Sequence, residues 1–168
     1  MYNIKKPMIV CLAGIFAALC CVATMIAVPL PFGYFNLGDI FVILAGWILG
    51  PIGAIAGAIG STIADLLLGF ALYAPATFII KGAVALIAYY TYKLFSGRTE
   101  KKPIPILLSS LVSESFMIVG YFLFEAFVLG YGMGAIASVP GNALQGVASV
   151  IGSVVIFLAL RTSKLFYR

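Results

Sequence analysis

Apolar residues in this chain run in long blocks, without the one-faced or alternating patterns of a water-facing helix or strand. A membrane-crossing helix needs roughly 20 mainly apolar residues. The first block, Met8–Val28, meets that, and Pro29-Leu30-Pro31-Phe32-Gly33 ends it because prolines cannot continue the helical hydrogen-bond ladder. A second block, from Ile40 to Leu68, is too long for one crossing. Gly50-Pro51 divides it, which predicts helices over Leu37–Leu49 and Pro51–Phe70. Further blocks predict helices over Pro75–Phe95, Ile104–Leu129 and Val139–Leu160.

The second segment is the weak one: at about 13 residues it is only about 20 Å long, shorter than the hydrocarbon core. Fusing it with the third as one kinked helix would leave five crossings. Charge separates the two. With six crossings and both termini cytoplasmic, Lys5 and Lys6, the Lys93–Lys102 stretch and the Arg161–Arg168 tail share the inner side. The outer loops, Pro29–Leu37, Gly69–Ala74 and Gly130–Ser138, then carry no charge. Five crossings would split the basic clusters between the two sides, so the positive-inside rule selects six. The expectation is an all-α membrane protein, one domain over residues 1–168.

Composition agrees. Of 168 residues, 64% are hydrophobic and 9% charged, where soluble domains are about half apolar and a quarter charged. The net charge of +5 flanks apolar segments, which is a topology signal and argues against nucleic-acid binding. Cys11, Cys20 and Cys21 share the first segment and read as packing residues; histidine is absent. The first segment exceeds the signal-peptide core of about 7–15 residues and reads as a mature helix. Gly53/Gly57 and Gly46/Gly50 have the small-xxx-small spacing of close helix packing. Trp47, Tyr89, Tyr90 and Tyr92 fit an interfacial aromatic belt.

Ionisable groups at membrane depth are costly, which makes each one a candidate for function. Here they gather toward the outer half: Asp39, Asp65, Lys81 and Glu125, with Asn142 and Gln145 near the outer start of the last segment; Glu114 lies deeper. Glu114, Ile118, Tyr121 and Glu125 recur at helical spacing, as do Asn142, Gln145 and Ser149, and Ser61 and Asp65. The loops add Tyr34, Phe35, Asn36 and Tyr73, so the pattern describes an outward pocket with aromatic walls and directed polar groups. Blander roles compete: Asp65 with Lys81 as a structural ion pair, Asp39 as the cap of the second helix, Glu125 as an interfacial residue. Four outer or central carboxylates against one lysine favour a donor-rich or cationic ligand over an anion.

The run Tyr34-Phe35-Asn36-Leu37-Gly38-Asp39-Ile40, then Leu49-Gly50-Pro51, Ala64-Asp65, Gly69, Ala74-Pro75 and Lys81-Gly82, resembles the riboflavin-transporter-like group of substrate-binding (S) components of energy-coupling-factor transporters. The resemblance spans residues from about 8 to 160. It implies a vitamin-capturing subunit in a cell membrane, bacterial by expectation, that joins a membrane coupling (T) subunit and two ATPases. It also implies that an Ala-xxx-Ala motif on the first helix, here Ala13 and Ala17 with Gly14 and Ala18 overlapping, contacts the coupling subunit.

The chain carries no phosphate-binding Gly-x-x-x-x-Gly-Lys-Ser/Thr loop, so ATP is expected to be used by partner subunits only, with no cofactor here. Ligands of that group include riboflavin, pyridoxine-type vitamers, hydroxymethylpyrimidine and pantothenate. A pyridine or aminopyrimidine ring would stack on Tyr34, Phe35 or Tyr73 and donate to a carboxylate such as Glu125. Riboflavin comes second, and an anion such as pantothenate suits an acidic site less well. The competing reading is a stand-alone, dimeric proton-coupled transporter with Glu114 carrying the proton. An enzyme is disfavoured by the lack of a nucleophile motif or metal-ligand spacing.

Overall fold

The computed structural model describes residues 6–29, 34–96 and 103–162. The Pro31–Gly33 breaker and the basic residues Lys5, Arg98, Lys101, Lys102, Lys164 and Arg168, used above to orient the chain, lie outside the described residues. Within them are six α-helices: α1 Lys6–Met25, α2 Gly38–Leu49, α3 Pro51–Leu67, α4 Ala74–Ser96, α5 Pro103–Leu123 and α6 Val139–Thr162. Two-residue strands β1 (Val28–Pro29) and β2 (Tyr34–Phe35) pair antiparallel between α1 and α2. A π-helical turn, Phe124–Val128, extends α5, and a 3-10 stretch, Gly132–Ser138, precedes α6.

Sequence blocks and helices differ most at the first segment. Helix α1 stops at Met25, short of the expected Val28, because Val28 and Pro29 leave the helix to pair with Phe35 and Tyr34. The glycines settle the relation of α2 to α3. Gly50 turns the chain with φ 61, a left-handed conformation that glycine adopts without strain. At Gly53 an added Cβ would meet the Ala45 carbonyl oxygen, and at Gly57 one would lie 3.3 Å from Val42 Cγ1. Contacts 53 to 45 and 57 to 42 are those of an antiparallel hairpin, so the single kinked helix is excluded.

Helix α3 is built inside out relative to a soluble helix. Ile52, Ile55, Ile59, Ile63 and Leu66 face outward, while its glycines and alanines, with Ser61 and Asp65, are buried. Large side chains cost nothing in lipid, and small ones let backbones approach. Gly60 does this toward the Ala17 carbonyl of α1, and Gly46 of α2 toward the Ala85 carbonyl of α4. Helix α2 is sheathed by the others, with Val42, Ile43 and Ala45 wholly buried. Its length of 12 residues therefore need not match a full bilayer, since protein surrounds most of it.

Four helical stretches, Pro7–Met25, Ala74–Ser96, Pro103–Val128 and Gly132–Arg161, are long and apolar enough to cross a membrane; α2 and α3 are the shorter apolar helices. Trp47 departs from the interfacial reading. It is 5% exposed and packs on Phe157, ring centroids 4.9 Å apart, with its indole N–H donating to Ser109 Oγ at 3.0 Å. Of the three free cysteines Cys20 is buried as a packing residue, Cys21 is partly buried, and Cys11 departs from that reading by being exposed.

Candidate functional site

Polar side chains meet at one end of the bundle, the end away from Lys6 and Thr162. The C-terminal ends of α1, α3 and α5 bring Thr24, Asp65, and Tyr121 with Glu125; the N-terminal ends of α4 and α6 bring Thr77 and Lys81, and Asn142 and Gln145. Tyr34, Asn36 and Tyr73 close the rim from the connecting segments. They line an open-mouthed pocket whose space, solvent in the mouth included, is about 440 Å³. Because the helices alternate in direction, residues far apart in sequence reach one level.

One wall is a continuous hydrogen-bonded chain. Lys81 Nζ bonds Asp39 Oδ2 at 2.6 Å, and Gln145 Nε2 donates to the same oxygen at 2.7 Å. Gln145 Oε1 accepts from the Asn36 backbone N–H at 3.1 Å and its Nδ2 at 2.9 Å, while Asn36 Oδ1 takes the Gly38 N–H at 2.8 Å. The lysine also lies 5.2 Å from the centroid of the Tyr121 ring, whose hydroxyl is 2.9 Å from Thr77 Oγ1. Lys81, the one cation in the pocket wall among the described residues, is thus already balanced by Asp39.

The other wall is half-satisfied. Tyr34 donates its hydroxyl to Asp65 Oδ1, and Tyr73 donates to Glu125 Oε1 at 3.3 Å. Asp65 Oδ2, Glu125 Oε2 and Thr24 Oγ1 are buried with no hydrogen bond among the described residues, although the Thr77 hydroxyl stands beside Asp65 and the Ser138 hydroxyl beside Glu125. Burial, and secondarily the carboxylate beside each, push both tyrosine pKa values up, so these hydroxyls stay donors. Tyr34, Phe70, Tyr73 and Phe124 form an aromatic run along the rim, with successive centroids 4.7, 6.2 and 5.6 Å apart. Buried acceptors without a hydrogen bond beside aromatic faces suit a flat ligand carrying N–H or O–H groups.

Several expectations change. Lys81 pairs with Asp39, not Asp65, because Tyr34 has taken one Asp65 oxygen and the N-terminus of α2 packs beside α4. Asp39 does not cap α2: the cap position is Leu37, without a side-chain bond. Glu125 is not interfacial but 2% exposed, on the π-helical turn at the pocket. Asp39 and Glu114 are the expected site residues that do not line the pocket: Asp39 stands behind Lys81, and Glu114 packs deeper against Gly146. Thr24 and Thr77 were missed; Thr77 lies one turn before Lys81, a spacing that could have flagged it, and Thr24 is the lone hydroxyl of α1. Ala13 and Ala17 are half-buried against the core, and Ala18 is exposed beside Gly14, which has open space around it.

An enclosed helical bundle with an end-on polar pocket is the architecture of a multi-pass membrane protein that captures a small molecule. Residues 4–162 match the family described as ECF-type riboflavin transporter, S component, and the chain belongs to it. That family consists of substrate-binding subunits of vitamin transporters, not enzymes, which work with a T subunit and ATPases. A curated protein of Pyrococcus woesei, described as "Uncharacterized protein in gap 3'region", is 33% identical over 130 residues, covering 76% of this chain and 83% of that one. Among solved structures, one described as "Structure and mechanism of the S component of a bacterial ECF transporter" superposes with TM-score 0.75. It shares 20% identity and covers 94% of this chain and 97% of its own, a likeness of fold.

Proposed function

We propose that this chain captures a small aromatic heterocycle, a pyridoxine-type vitamer or hydroxymethylpyrimidine, from outside the cell, with riboflavin as the next candidate. It would cross the cytoplasmic membrane six times with both termini inside. A membrane coupling subunit would meet it partly through the first helix at Ala13 and Ala17, and two ATPases would supply the energy, so no cofactor is needed here. The observation that carries this reading is the pair of carboxylates, Asp65 and Glu125, each with one oxygen held by a rim tyrosine and the other buried without a hydrogen bond. A ring with exocyclic donors would satisfy both oxygens and stack on the rim aromatics. Pantothenate fits less well, since Lys81 is already neutralised.

The test is a thermal-shift panel of vitamins and precursors on the protein purified in detergent, followed by calorimetry. A ligand at about 100 times its Kd stabilises the fold by about 2.7 kcal/mol. One clear shift names the substrate; no shift from folded protein overturns the reading.

A further inference from the structure

Beneath the pocket, where α2, α4, α5 and α6 meet, lies a polar cluster that substrate capture does not use. Glu114 of α5 is 3% exposed, and neither carboxylate oxygen has a hydrogen-bond partner among the described residues. It sits against Gly146 of α6, where an added Cβ would lie 3.4 Å from Glu114 Cβ and 3.5 Å from Oε2. A methyl group there would meet the carboxyl in ordinary van der Waals contact, so the two helices touch at this level. Ser149, the next residue on that face of α6, is wholly buried with its hydroxyl unpartnered, and Asp39 keeps Oδ1 free.

The charged groups acting on Glu114 are Asp39 of α2 and Lys81 of α4. Helix α6 presents Gln145 and Ser149 on this side. On α5 itself, Ser110 and Ser113 bond backbone carbonyls. Two carboxylates therefore share one lysine, and Asp39 already holds it at 2.6 Å. An ionised Glu114 would leave a net negative charge deep in a membrane protein with no hydrogen bond to either oxygen, which is among the costliest arrangements a bundle can bury. One positive charge must come from elsewhere. Among the described residues no three acidic, cysteine or histidine ligands gather to hold a metal ion.

We propose that Glu114 is a proton-binding site, held as the neutral acid, and that its proton stabilises the junction beneath the pocket. The acid O–H adds a donor to a junction otherwise rich in unmatched acceptors and hydroxyls. Loss of the proton places a second anion in competition with Asp39 for Lys81. Asp39 also positions Gln145, and Gln145 holds both Asn36 N–H groups at the pocket wall. Stability is therefore full while Glu114 is protonated and falls as pH rises through its deprotonation.

The test uses the purified full chain and needs no vitamin, so its failure is separate from failure of the substrate reading. Infrared difference spectra of wild type minus Glu114→Gln should show the C=O band of a buried protonated carboxyl at neutral pH, lost on alkalinisation. The E114Q protein should melt within about 3 °C of wild type, because no charge is removed, and should lose the alkaline part of the wild-type pH dependence. Absence of the band overturns the proposal, as does an E114Q protein that unfolds or keeps the wild-type pH profile. Melting that depends on sodium against potassium at fixed pH would assign the missing charge to a bound cation and overturn the proton.

Discussion

The two ends of the bundle use similar side chains to opposite effect. At the pocket end, Tyr34 and Tyr73 hold Asp65 and Glu125 by one oxygen each and leave the other unmatched. At the far end, Trp47 packs tilted on Phe157 and Tyr92 meets Phe157 edge-on, Trp47 bonds Ser109, Ser109 bonds the Ile106 carbonyl at 2.9 Å, and Arg161 donates to Tyr92 at 3.1 Å. Both ends combine aromatic rings with hydroxyls and charge. The far end is closed because its polar atoms find partners within the fold; the pocket end is receptive because some of its atoms do not. Unmatched buried acceptors, more than aromatic content, separate a binding end from a packing end.

Substitutions can break that contrast. The largest effect is expected for Lys81→Ala, which leaves Asp39 charged and buried without its partner. Breaking a buried pair costs about 3–5 kcal/mol, read as a lower melting temperature and loss of ligand binding. Adding Asp39→Asn should recover much of the stability, and a double variant no more stable than Lys81→Ala would mean the pair is not the coupling element. Next, Glu125→Ala should weaken ligand binding by about 1.5–3 kcal/mol, roughly ten- to hundredfold, as for a lost charged hydrogen bond. Calorimetry measures this, and without ligand the protein should lose only the Tyr73 hydrogen bond, about 1 kcal/mol of stability.

Gly53→Ala sharpens the comparison from the packing side. Its methyl would press on the Ala45 carbonyl, and overpacking costs about 1–3 kcal/mol, seen as reduced thermal stability with ligand affinity kept in the protein that stays folded. Smallest is Trp47→Phe, which keeps the ring contacts but loses the bond to Ser109, about 1 kcal/mol of stability. An affinity change from that substitution would show that the far end communicates with the pocket.

Most of the architecture was legible along the chain. Gly50-Pro51 marked the division between α2 and α3, the small residues of α3 marked its buried face, and the uncharged connecting segments marked the receptive end. These are local signals: a proline lacks a donor wherever it sits, and an apolar run of sufficient length seeks lipid in any fold. Asp65, Lys81, Glu125, Asn142 and Gln145 were legible as pocket residues because ionisable and amide groups are rare and costly in such a chain, Tyr121 by its helical spacing to Glu125, and Tyr34, Asn36 and Tyr73 by their place in uncharged connecting segments.

Partnership was not legible. The choice of Asp39 over Asp65 for Lys81, the removal of Glu114 from the pocket wall, and the burial of Trp47 depend on how helices rotate and how deeply they pack. Spacing along one helix assigns a residue to a face, but it cannot say which neighbouring helix meets that face. That was decided by close backbone contacts at Gly46, Gly53 and Gly60, which set the helices side by side and so determined which charge reaches which. The sequence by itself determined a lipid-embedded helical protein with polar groups gathered at one end; only the tertiary packing decided which acceptors were satisfied and which were left for a ligand or a proton.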